Sequence, residues 1–130
     1  MKNEHLFSFI LMLFAVSCSN NMSKTLDGKS YQLSCWDLNQ PEKQDPDLLV
    51  FKNGMMDSEA CHQYGFTAAP YKSSFENGVI SFSGTISSTA EGSMLIEGKV
   101  KENQIDGTML WKKAGQADIQ YGFKGNLKPE

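Results

Sequence analysis

The chain has 130 residues and a formal net charge of −3, and its 12 basic residues are all lysine. Arginine is the preferred bidentate reader of guanine and phosphate, so a mildly acidic chain without it lacks the electrostatic footprint of a nucleic-acid binder. The length suits one domain around a single core.

The first segment reads as an address. Lys2 gives a basic start, and residues 6–16 form an apolar run broken only by Ser8. That run is shorter than the roughly 20 residues a membrane-spanning helix needs, and it fits the apolar region of a secretory signal. Ala15-Val16-Ser17 then sets small residues directly before Cys18, and polar Ser19, Asn20, Asn21 and Ser23 follow. This resembles a bacterial lipoprotein signal. The resemblance implies a leader over 1–17, acylation of Cys18, a tether over 18–25 and a single domain over 26–130. Ser19 after the cysteine is similar to the pattern of lipoproteins delivered to the outer membrane. The expected location is therefore the bacterial cell envelope, lipid-anchored and facing the periplasm or the cell surface. Stable anchoring takes more than one acyl chain.

The remainder is patterned for strands. Residues 30–36 alternate, with Tyr31, Leu33 and Cys35 on one face and Gln32, Ser34 and Trp36 on the other. A polar stretch with two prolines, 37–46, predicts a loop, and 47–52 predicts a second strand. Asn53-Gly54 is the strongest short-range hairpin signal, because both central residues of a type I′ turn need positive φ. A short third strand follows over 55–58. Alternation stops across 59–68, which predicts a helical turn or an irregular crossing of a barrel end.

A strand over 69–73 leads to Asn77-Gly78, which repeats the hairpin signal. Residues 79–86 alternate again, with Ile80, Phe82 and Ile86 on one face. Three further strands are predicted over 93–101, 105–112 and 119–127, and Met94, Ile96, Ile105, Met109, Trp111, Tyr121 and Phe123 share the apolar side. About eight short strands at regular spacing indicate an all-β fold. Gly84, Gly98, Gly107 and Gly125 fall at inward positions, where a glycine marks a bend or a close backbone approach. These features favour a small antiparallel up-and-down barrel, lipocalin-like in architecture only, with a short irregular or helical segment near 59–67. A two-sheet sandwich is the alternative. The phrases SEACHQYGFTAAPY and IDGTMLWKKAGQADIQYGFKGNL also resemble a group of small exported bacterial proteins, a likeness that implies export but no particular activity.

Candidate chemistry concentrates near residues 59–71. Cys61-His62 could pair a thiol with a base, but neighbouring residues on an extended strand point to opposite faces and no third orienting group is evident. Asp57, Glu59, Cys61 and His62 lack the spacing of a metal loop, so neither metal nor cofactor is expected. In an exported chain Cys35 and Cys61 are first read as a disulfide pair. The candidate ligand-binding set is Cys61, His62, Tyr64, Phe66, Tyr71 and Trp111, since an eight-stranded barrel can hold one small molecule. The expected function is a non-enzymatic, monomeric module that is tethered to the membrane through Cys18 and binds a small apolar ligand or an envelope protein. A solid barrel with a structural or interaction role is the alternative, and a Cys/His-dependent enzyme is the third reading.

Overall fold

The structure, a computed structural model, describes residues 25–130. The expected leader 1–17, Cys18 and the expected tether up to residue 24 lie outside the described residues. Eight strands follow in chain order: β1 Lys29–Asp37, β2 Asp45–Lys52, β3 Met55–Ser58, β4 Ala69–Glu76, β5 Val79–Ser88, β6 Gly92–Lys101, β7 Gln104–Lys112 and β8 Ile119–Leu127. A single 3-10 turn, Glu59–Tyr64, separates β3 from β4. Each strand pairs antiparallel with the next, and β8 returns to β1 with Leu33 opposite Gly125, so the sheet is a closed up-and-down barrel. Closure removes the exposed edges that would otherwise template aggregation.

The turns explain the register. Asn53 and Gly54 have φ of 55° and 76°, and Asn77 and Gly78 have φ of 54° and 80°, so both pairs adopt the doubly left-handed geometry their sequence predicts. Glu102 takes the same region at φ 57° between β6 and β7. Nothing in its residue type announces this, since an L side chain there costs about 1–2 kcal/mol.

Two strand boundaries differ from expectation. β2 starts at Asp45 and includes Pro46, which pairs opposite Ser34. It does so because β3 reaches back only to Leu49. Residues 45–48 thus have no strand neighbour on that side, and a proline without an N–H is tolerated at such an edge. β4 runs on to Glu76 because the two-residue Asn77-Gly78 turn lets pairing continue to Glu76–Val79.

Inward residues fill the barrel from end to end. Leu26 is fully buried at the mouth where the chain enters, and Phe66 is buried at the other. Between them lie Tyr31, Leu49, Phe51, Phe82, Ile96 and Phe123, all within one apolar cluster. Phe51 is the hub of the rings, edge-on to Tyr31, Tyr71 and Phe82 at centroid distances of 6.0, 5.0 and 5.1 Å. Such pairs add about 0.5–1.5 kcal/mol each beyond their buried area.

Gly98 and Gly107 face one another across β6 and β7. A Cβ on Gly98 would stand 2.8 Å from the Phe82 ring, and one on Gly107 would stand 2.7 Å from the Phe123 ring. The two glycines vacate the space those rings occupy. The weakest seam is β3–β4, joined by only two residue pairs, Met55–Pro70 and Met56–Ala69.

Candidate functional site

An up-and-down barrel sends alternate connections to opposite ends. The ends of β1, β3, β5 and β7 share one mouth with the 59–68 segment, while the entering residues 25–28 and the Asn-Gly turns share the other. The Glu59–Tyr64 turn closes the first mouth and is stopped by Gly65 in the left-handed region at φ 88°. Phe66 then turns inward, and the chain is held by a bridge between Thr67 and Ser87 before β4 begins.

What fastens this plug is a residue that the candidate set omits. Asp47 is only 7% exposed. Its Oδ1 accepts hydrogen bonds from the Leu48 amide at 2.7 Å and the Ala60 amide at 2.9 Å, and its Oδ2 accepts one from the Ser58 hydroxyl at 2.5 Å. Burial pushes the Asp47 carboxyl above the usual carboxylate range, against the three hydrogen bonds that lower it. The signal was in the sequence: Asp47, Leu49 and Phe51 share one strand face, and an acid on the apolar face of a strand is an anomaly. Ser88 adds a second tie, donating to the Tyr64 carbonyl at 2.8 Å.

The cysteine–histidine dyad of the third, least favoured reading does not assemble. The His62 ring nitrogen lies 2.7 Å from Asp57 on the exposed side of the turn, whereas Cys61 packs against the core. Burial, followed by the nearby carboxylates of Asp47 and Asp57, pushes the Cys61 thiol up, against a hydrogen bond with Ser58. Cys35 is pushed up to about 12 by burial, with Asp47, Cys61 and Asp45 adding to it. Both changes are opposite to what a thiolate nucleophile needs. Both residues are free thiols in the structure, and they sit at the same mouth, where each contacts the core cluster. Among the described residues no three potential ligands group around a metal position.

The aromatic candidates separate. Tyr64 is 56% exposed on the outside of the plug, while Phe66 is core. Trp111 is half-buried at the same mouth, its indole N–H donating to the Glu91 carbonyl at 2.6 Å. Tyr71 belongs to the opposite mouth. Its amide donates to the Gly54 carbonyl at 3.2 Å, and its hydroxyl donates to Asp27 at 2.7 Å. Asp27 also accepts from the Gly54 amide at about 3.0 Å, which pins the entering chain over Leu26. Tyr64, Phe66 and Tyr71 therefore do not form one wall, because the four-residue β3 brings the Asn53-Gly54 turn level with Tyr71.

A surface groove of about 490 Å3 crosses β7, β8 and β1 and is lined by Gln32, Ser34, Gln104, Asp106, Lys124 and Asn126. A second depression of about 410 Å3 lies beside the Asn77-Gly78 and Glu102-Asn103 turns. No protein-family model matches the chain, and no curated protein or solved structure matches it either.

Proposed function

We propose that the chain is a lipid-anchored, non-enzymatic module of the bacterial envelope that works through contacts on its outer surface with an envelope partner. The observation that carries this reading is the filled interior: Leu26 and Tyr71 close one mouth, the 59–66 segment closes the other, and apolar side chains occupy the space between. A barrel of eight strands is just wide enough for side chains to fill. The space that a small apolar ligand would need is taken by the chain's own rings. The two thiols, kept neutral by burial, argue against cysteine catalysis.

Anchoring rests on the leader pattern and Cys18. Fractionation of cells making the parent chain and Cys18→Ala tests it. The reading expects the parent in the membrane fraction, and the variant either released or retaining its leader. An unchanged distribution and unchanged mature mass would sink it. An environment-sensitive apolar dye tests the filled interior. Saturable, stoichiometric dye binding by the folded parent would return the ligand-carrier reading.

A further inference from the structure

Among the described residues, the plugged mouth carries an excess of negative charge that the opposite mouth does not. Two neighbouring segments, 37–45 and 57–64, supply Asp37, Glu42, Asp45 and Glu59 against a single lysine, Lys43, while Asp57 is held by the His62 ring at 2.7 Å. The other ionic groups at this mouth cancel in pairs: Lys112 binds Asp118 at 2.7 Å and Lys113 binds Glu91 at 3.0 Å. At the opposite mouth, lysines 29, 52, 101 and 128 are matched by as many carboxylates.

Within the acidic rim stand two exposed apolar groups, Leu38 at 47% and Tyr64 at 56%. Leu38 is fixed by its amide, which donates to the Gln120 carbonyl at 3.1 Å, and Tyr64 by the bond from Ser88 to its carbonyl. The half-buried Tyr121 lies beside Leu38, because it pairs with Asp37 across β1 and β8 and the Leu38 amide bonds to the preceding Gln120. Aromatic and apolar residues at the centre with charge at the edge is the anatomy of a protein-binding patch.

We infer that the plugged mouth, with Leu38 and Tyr64 inside an acidic rim, is the docking surface for a basic, lysine- or arginine-rich polypeptide partner. The inference rests on the reading above, in which the outer surface does the work, and it names the face and the partner class. Charge complementarity selects the occupant. A second copy would bring acid against acid, and an anionic bilayer would be repelled. Residues 25–28 enter at the other mouth, on the side opposite this face. At physiological ionic strength the field of such a rim extends about 8 Å and steers a cationic partner toward it.

The probe is a fluorescent peptide of about twelve residues alternating lysine and leucine, with a glutamate–leucine peptide as its opposite. The full chain, extracted in a non-ionic detergent, is titrated with each while anisotropy is read. The lysine peptide should bind saturably and the glutamate peptide should not. Binding should weaken about tenfold in the combined Glu42→Gln, Asp45→Asn and Glu59→Gln variant, and largely vanish near 1 M salt, where screening acts within about 3 Å.

Glu76→Gln, at the opposite mouth, should leave binding unchanged. All these side chains are exposed, so the variants should fold as the parent does. A photo-reactive benzoylphenylalanine in place of Tyr64 reports the occupant. An adduct with the lysine peptide is expected, whereas an adduct with a second copy or with lipid would overturn the assignment. Equal binding of both peptides, or full binding by the triple variant, would also overturn it. A chain that binds the peptide but is absent from the membrane fraction fails the anchoring reading alone. A membrane-bound chain that ignores the peptide fails this one alone.

Discussion

Replacing Asp47 separates the two things this buried carboxylate does, which are to accept hydrogen bonds and to carry a charge. Asp47→Ala removes all three bonds. The Leu48 and Ala60 amides are half-buried and can recover water, whereas the Ser58 hydroxyl is fully buried and cannot. Charge-assisted bonds contribute about 1.5–3 kcal/mol each, and the buried Ser58 donor is left with only the weaker Cys61 thiol as a partner. Against these stands the relief of no longer burying a carboxylate. The net loss should be about 3 kcal/mol, and it should fall on the plug.

Asp47→Asn behaves differently. Both amides bond to the same oxygen, Oδ1, which an asparagine retains. Its side-chain NH2 then replaces Oδ2 and donates to a Ser58 hydroxyl that has turned to accept. The bonds survive, the buried charge goes, and the loss near neutral pH should stay within about 1 kcal/mol.

The sign of the pH dependence follows from the raised carboxyl. A folded chain that binds this proton more readily than the unfolded one has the Asp47 contribution fully present below about pH 3.9, and loses it as pH rises through the folded value. The stability of Asp47→Asn relative to the parent should therefore be greatest near neutral pH and fall as pH drops toward about 4. Urea unfolding followed by tryptophan fluorescence reads the midpoint at each pH, with an unchanged slope marking a pure stability effect. Amide exchange at residues 59–64 should quicken in Asp47→Ala before the rest of the barrel opens. If Asn costs as much as Ala, or if its relative stability rises on acidification, the bonds do not hold the plug in the way described.

Three other outcomes are expected. Phe66→Ala should cost about 3–5 kcal/mol in the same urea assay, while Tyr64→Ala, mostly exposed, should cost under about 1 kcal/mol. Gly125→Ala should give little folded protein by circular dichroism, because its Cβ would stand 2.0 Å from the Gln32 carbonyl oxygen across the β1–β8 seam. If the chain is exported to an oxidising compartment, as proposed, Cys35 and Cys61, which sit at the same mouth, should exchange with a disulfide donor and join, which adds about 3–4 kcal/mol for a loop of this length. Alkylation under denaturing conditions without reductant should then find neither thiol, and finding both would leave them as the half-buried free thiols of the structure.

Much of the architecture was legible along the chain, because period-two alternation and the Asn-Gly pairs are local signals. Each depends on a residue's own φ preference or on which side of a strand it faces. That local code determined eight antiparallel strands, the inward set around Phe82, Ile96 and Phe123, and the interruption over 59–68. It also placed the crowding glycines, since a strand that bends sharply leaves no room for a Cβ where Phe82 and Phe123 lie.

Tertiary structure alone decided how far each hairpin extends relative to its neighbour. The short β3 sends Tyr71 to the mouth opposite Tyr64, which divides residues adjacent in sequence between two ends of the barrel. It decided that Asp47 meets Ala60 across the plug and that Leu38 shares a face with Tyr64. It also decided that the acids of two separate segments add to one rim. These depend on distances between residues far apart in the chain, which closure of the sheet sets and no local preference encodes.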